Sequence, residues 1–165
     1  MTRAERPPHH LRARDYHGTV VLDYAPDLDG EPDPGEIVWA WVPFREDPTR
    51  GKDRPLVVIG RTDGRAPAAM AGLMLSSKDR SGRSGWVFLG AGGWDERRRD
   101  SWVRVDRVFA IPAGAIRREG AVLPPERFLE LVEAAVSRGG FPVAGPARPR
   151  LSLWARVKQW VRRRS

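Results

Sequence analysis

The sequence of 165 residues predicts a mainly β fold, a small and strongly bent sheet or barrel capped by one helix. Two observations carry that expectation. Short apolar runs rich in valine, isoleucine and tryptophan recur between loops of glycine, proline and charge, which is how strands read. One amphipathic segment follows the last run, and an apolar sheet face needs such a cover. Hydrophobic residues make up 41% of the chain, enough for a core, and the length suits one domain with extra terminal material.

Residues 1–18 are polar, basic and proline-bearing and read as a loose arm, which with the acidic loop makes a first segment, 1–34. Residues 19–23 (TVVLD) predict a short edge strand, and 25–35 (APDLDGEPDPG) a proline- and acid-rich loop. In Glu36–Pro43, Ile37, Trp39 and Trp41 alternate with Val38, Ala40 and Val42, so both faces are apolar and the strand should be buried on both sides. A polar loop, 44–53, leads to the aliphatic strand 54–61 (RPLVVIGR), with Pro55 placed at the strand start, where no ladder donor is needed. Asp63-Gly64 marks a tight turn at 62–65.

Residues 70–75 (MAGLML), 86–89 (WVFL) and 101–111 (SWVRVDRVFAI) complete the strands. They are separated by the polar cluster 76–85 and the connection 90–100, glycine-rich and then charged. Alternation in 101–111 admits a bulge near its end. In 125–138, Phe128, Leu131, Val132, Ala135 and Val136 fall on one helical face; Pro125 suits the first turn and Gly139-Gly140 the end. Residues 139–150 read as a linker, and 151–165 as a short cationic amphipathic helix with Trp154, Val157 and Val161 on one side and Trp160 near their edge.

Net charge is +8, with 29 Lys plus Arg against 21 Asp plus Glu. Seven of those bases (Arg148, Arg150, Arg156, Lys158, Arg162, Arg163 and Arg164) lie in the tail without an acid, leaving 22 bases against 21 acids elsewhere. The body is nearly neutral, so a basic site there must arise from local clustering. The tail can meet an anionic membrane through its charge and Trp154 and Trp160, meet RNA phosphates, or pack loosely on the barrel.

The absence of cysteine excludes disulfides, thiolate zinc sites and thiol nucleophiles, and fits a reducing cytoplasm. No apolar stretch of signal-peptide or membrane-spanning character is apparent, so the chain reads as soluble and cytoplasmic. His9, His10 and His17, the three histidines, all lie in the arm, where no third ligand is fixed; no metal or cofactor is expected. The Gly90–Gly93 run lacks the apolar helix that a dinucleotide site requires directly after it and reads as a hairpin loop.

Arg54 stands where a polar loop becomes a strand, so its backbone is rigid and its planar fork suits a phosphate. Spacing alone favours a salt bridge with Asp53 or Glu46. Ser76 and Ser77 occupy the matching junction after the third strand, where a hydroxyl can donate to phosphate or bond nearby backbone, the latter being commoner.

The order PGEIVWAWVPF, GKDRPLVVIGR, GLMLSSKD, WVRVDRV and EGAVLPPERF plus a helix resembles the PemK/MazF family of bacterial toxins, over residues 35–138. Its most specific parts are the Arg-Pro and aliphatic strand at 54–59, the segment 106–108, and the glycine-led approach to the helix at 120–127. The resemblance implies an SH3-like barrel with a C-terminal helix and a homodimer. It also implies a metal-independent endoribonuclease acting on single-stranded RNA and neutralised by an antitoxin. In that chemistry the RNA 2'-hydroxyl attacks the adjacent phosphate, leaving a 2',3'-cyclic phosphate and a 5'-hydroxyl end.

The family's arginine and hydroxyl positions fall on Arg54 and Ser76, which the resemblance makes catalytic. Arg54 would stabilise charge on the five-coordinate phosphate, and Ser76 would hydrogen-bond a phosphate oxygen. Ser77 and Lys78 would assist RNA binding, Lys52 would raise the local potential, and Phe44 is a candidate stacking platform. Serine replaces the usual threonine at 76, and Thr49 stands where an acid sometimes precedes the arginine. The alternative is a non-catalytic module of the same fold that binds nucleic acid or protein.

Overall fold

The structure, a computed structural model, describes residues 6–64 and 69–145; the basic tail predicted at 151–165 lies outside them. Its strands are β1 (Arg14–Tyr16), β2 (Val20–Leu22), β3 (Glu36–Pro43), β4 (Gly51–Thr62), β5 (Ala69–Ser76), β6 (Trp86–Gly90), β7 (Ser101–Pro112), β8 (Arg118–Val122) and β9 (Val143–Ala144), with helix α1 (Pro125–Gly139) before the last.

The two 12-residue strands, β4 and β7, flank β5. Each gives its other edge to two short strands end to end. For β4 these are β3 along 51–57 and β2 along 60–62; for β7 they are β6 along 101–104 and β1 along 108–110. β8 extends the sheet beyond β3, and β9 pairs in parallel with β2. Long strands shared in this way must twist and coil, and the result is a curled half-barrel with one helix against it, as predicted.

Both faces of the sheet are apolar, and β3 shows why its two-sided pattern mattered. Ile37 joins the layer under α1, formed by Val57, Ile59, Leu73, Val103, Val105 and the helix residues Phe128, Leu131, Val132 and Ala135. Val38, Ala40 and Val42 join a second layer on the opposite face, with Leu56, Val58, Met74, Phe109 and Ile111, closed by Ala13 and Ala115. Gly60 lets β2 cross β4 closely, since a Cβ there would lie 2.1 Å from the Val21 carbonyl oxygen. The helix ends as predicted, the Gly140 amide donating to the Val136 carbonyl (3.3 Å).

Several local readings change. The segment read as a loose arm is partly built into the sheet: Arg14–Tyr16 pair with β7, Ala13 is buried, and the Ala13 amide donates to the Trp41 carbonyl (3.1 Å). The strand read as an edge at 19–23 is flanked by β4 and β9, so the linker contributes two sheet residues. Pro55 lies within β4, not at its start. It is tolerated because β5 pairs with β4 only from Leu56 onward, leaving one edge of β4 without a ladder there.

Gly90 closes β6, while 91–93 open the predicted hairpin loop to β7, and the purpose of this glycine run is packing. Trp94 tucks inward and donates its indole N–H to the Ser101 hydroxyl (3.0 Å), while a Cβ on Gly92 would lie 2.1 Å from the Trp94 ring. In the charged half of this loop, the Asp95 carboxylate accepts Arg99 Nε (2.9 Å), Nη2 (3.0 Å) and the Arg99 amide (2.8 Å). The Arg99 side chain is the main cause that lowers Asp95 to about 2. A carboxylate lowered on folding contributes stability that is complete above its ordinary range and is lost as pH falls through the folded value. Asp95→Asn is therefore expected to lower the melting temperature at neutral pH, modestly because Arg99 is half exposed, with the difference from the parent shrinking as pH falls from about 4 to about 2, read by circular dichroism.

Candidate active site

Strand alternation places Lys52, Arg54, Leu56 and Val58 on one face of β4, and the last two belong to the second apolar layer. Arg54 is therefore the polar continuation of that layer at its rim. Met74 belongs to the same layer, and Ser76 lies two residues further along β5. The β4–β5 ladder ends on this side with Leu56 opposite Met74, so Arg54 and Ser76 stand at equivalent positions just beyond it.

Ser76 ends β5 and is buried at 7% exposure, rather than opening the polar cluster as its composition suggested. Its Oγ accepts the Lys78 amide (3.2 Å), the local backbone bond foreseen for it. That bond uses a lone pair and leaves the hydroxyl proton available to donate.

Arg54 is half-buried, and no ion pair holds it among the described residues. The expected partner Asp53 faces Arg117 instead, at 3.4 Å, an ionic contact without hydrogen-bond geometry. Burial is the main cause that lowers the Arg54 pKa, followed by the positive fields of Arg80, Arg107 and Arg104, while Glu46 opposes them. Lys52 is lowered by Arg54 first, then by burial and Lys78. These residues form the local cationic cluster that a nearly neutral body had to contain if it was to hold an anion.

Three arginines of this cluster are not evident from sequence. Arg80 stacks over Trp86 (4.7 Å), with its buried Nε lacking a hydrogen-bond partner. Arg104 lies over the same ring (5.8 Å) and pairs with Asp106 (2.7 Å). Arg107 lies over Phe109 (4.5 Å). In a regular strand, residues 104 and 107 point to opposite faces. Here Leu73 pairs with Val108 and Leu75 with Val103, so Met74 alone faces four β7 residues, 104–107. That bulge is what lets both arginines bear on Arg54, and bulges of this kind commonly re-aim side chains beside functional sites.

Residues 33–137 match the family described as PemK-like, MazF-like toxin of type II toxin–antitoxin system. The chain belongs to that family. A search among curated proteins finds no match. The matched segment runs from the residue before Pro34 to the last turn of α1, and holds Arg54, Ser76, Arg80, Arg104 and Arg107. β1, β2 and β9 lie outside it.

The remaining predicted residues are placed less uniformly in this toxin-family chain. Ser77 and Lys78 are exposed beside Ser76. Phe44 is half-buried after β3, its amide donating to the Arg50 carbonyl (2.8 Å), and among the described residues no ring or cation is stacked on it. A different aromatic pair adjoins the hydroxyl: Trp102 is the register partner of both Ser76 and Phe88. Phe88, 59% exposed, meets Trp102 edge to face at 5.3 Å.

Proposed function

We propose that this chain is the toxin of a toxin–antitoxin pair and acts as a metal-independent endoribonuclease on single-stranded RNA. The observation that supports it best is Arg54, a desolvated guanidinium ringed by cations, with no anion paired to it among the described residues and a buried hydroxyl at the matching end of the next strand. A phosphodiester is the counter-ion such a site favours, and the five-coordinate transition state carries more charge than the ground state.

In this reading the 2'-hydroxyl loses its proton and its oxygen bonds to phosphorus. The bond from phosphorus to the 5'-oxygen breaks, and that oxygen takes up a proton. Arg54 spans two non-bridging oxygens, Ser76 donates to one of them, and Lys52, Ser77 and Lys78 hold the backbone. Single-stranded RNA is gripped through unstacked bases on aromatic surfaces; Phe44 and the exposed pair Phe88–Trp102 are the rings available for that. The active form is a homodimer, the neutralising partner is an antitoxin, and the tail from Arg148 to Arg164 supplies further contact to RNA or to an anionic membrane.

Incubating a diverse RNA pool with EDTA-treated protein and mapping 5'-hydroxyl ends tests the reading. Recurrent cuts at one short sequence are expected. RNA retained by the protein but left whole would instead identify a non-catalytic binding module of the same fold.

A further inference from the structure

The segment before residue 33 brings an acid to the rim of the cationic site. Asp15 of β1 receives Arg107 Nε on one carboxylate oxygen (2.6 Å) and Nη2 on the other (2.9 Å), a bidentate pair between residues 92 apart in sequence. The Arg107 side chain keeps only 10% of its exposure, while that of Asp15 keeps 43%. The same guanidinium lies over Phe109 of the second apolar layer and reaches the Pro43 carbonyl (3.4 Å), opposite Gly51 at the start of β4. Arg107 thus spans from the β7 bulge to the strand end that carries Lys52 and Arg54. β1 contributes three paired residues and no fully buried side chain of its own.

Resting on the ribonuclease reading, we propose that Arg107 is a further phosphate-binding residue of the site, and that Asp15 is a resident counter-ion which the RNA backbone displaces. Among the described residues, the other two guanidinium groups that bear on Arg54 are stacked on Trp86, and the one of these that carries an ion pair, Arg104, takes it from its own strand. Of the three described arginines that bear on Arg54, Arg107 is the one held by a carboxylate from outside the matched family segment. A carboxylate and a phosphodiester present the same two-oxygen face to a guanidinium, so one replaces the other without moving Arg107. When Asp15 is released it attracts a cation from solution, which cancels the counter-ion set free from the phosphate.

The test uses the full chain, Asp15→Asn, and fluorescein-labelled 2'-O-methyl oligo(U) and oligo(A), which bind but lack the attacking hydroxyl. Cleavage of the RNA pool is followed in parallel. Asp15→Asn is expected to tighten binding at low salt by up to about fivefold, the upper value for a partly exposed pair. The slope of log affinity against log salt should steepen by about 0.7, one single-strand phosphate. Adding Arg107→Gln to Asp15→Asn should abolish both gains. Equal or weaker binding by Asp15→Asn in a parent that cuts RNA overturns this inference alone. So does a gain that survives in the double variant, because lost negative charge then explains it. A parent that neither binds these oligonucleotides nor cuts RNA overturns the ribonuclease reading and this inference together.

Discussion

Replacing Arg54 with methionine is expected to lower the single-turnover rate of RNA cleavage by about 10²–10³-fold, the loss found when one preorganised donor to a developing oxyanion is removed. The melting temperature is expected to hold steady or rise. The folded state lowers the Arg54 pKa, chiefly by burial and then through Arg80, Arg107 and Arg104, so it disfavours the charged form. A base whose folded pKa is depressed costs stability at every pH where it remains charged, and for arginine that covers all ordinary conditions. Methionine keeps an unbranched apolar stem over the second layer and removes the charge. Arg54→Lys should recover only part of the rate, since an ammonium cannot span two phosphate oxygens. Cleavage at the parent's rate by Arg54→Met would show that the phosphate is held elsewhere; lost cleavage with a much lower melting temperature would show that Arg54 is structural.

Glu36→Ala is expected to be among the most destabilising single changes in the chain, lowering the melting temperature by roughly 10 °C. Glu36 opens β3 and is fully buried. One carboxylate oxygen accepts the Asp27 amide (2.8 Å) and the other the Asp33 amide (3.2 Å), so this side chain folds the acidic loop 25–35 back on the sheet. Bonds to a charged acceptor contribute about 1.5–3 kcal/mol each, and alanine leaves both amides without that acceptor. A loss of about 3–5 kcal/mol, at about 2–4 °C per kcal/mol for a chain of this size, gives the stated shift. Relief of repulsion from Asp27, Asp29, Glu31 and Asp33 offsets a small part of it. Glu36→Gln, which keeps one acceptor oxygen, should lose about half as much. Thermal unfolding of both variants decides the matter, and equal melting temperatures for all three proteins would mean that the loop is held by other contacts.

Glu36 also shows where sequence reading stops. The alternation in EIVWAWVP correctly marked a strand apolar on both faces, yet it placed no weight on the acid at its head, because burial of a carboxylate depends on which amides the following fold brings to it. Ser76 is similar: its position after an apolar run was plain, but its burial follows from pairing with Trp102 on β7. The reading of the arm as loose failed at residues 13–16 for a related reason. Three residues with exposed or half-exposed side chains have no period to detect, and β1 exists only because the β7 edge lies beside it.

The sequence by itself determined the segments of β2 to β7 and of α1, the family, and the positions of Arg54 and Ser76, since these are written in local period and in the spacing of neighbouring residues, whereas β1, β8 and β9 carry no such signal. It also determined that the +8 belongs mostly to the tail and that any cationic site in the body must be assembled locally. Only the tertiary structure decided which residues assemble it. Arg104 and Arg107 converge on Arg54 because the bulge opposite Met74 breaks the two-residue alternation. Asp15 meets Arg107 across 92 residues because two short strands share one edge of β7. Electrostatic fields depend on distance in space, which one-dimensional order does not specify until the sheet has coiled.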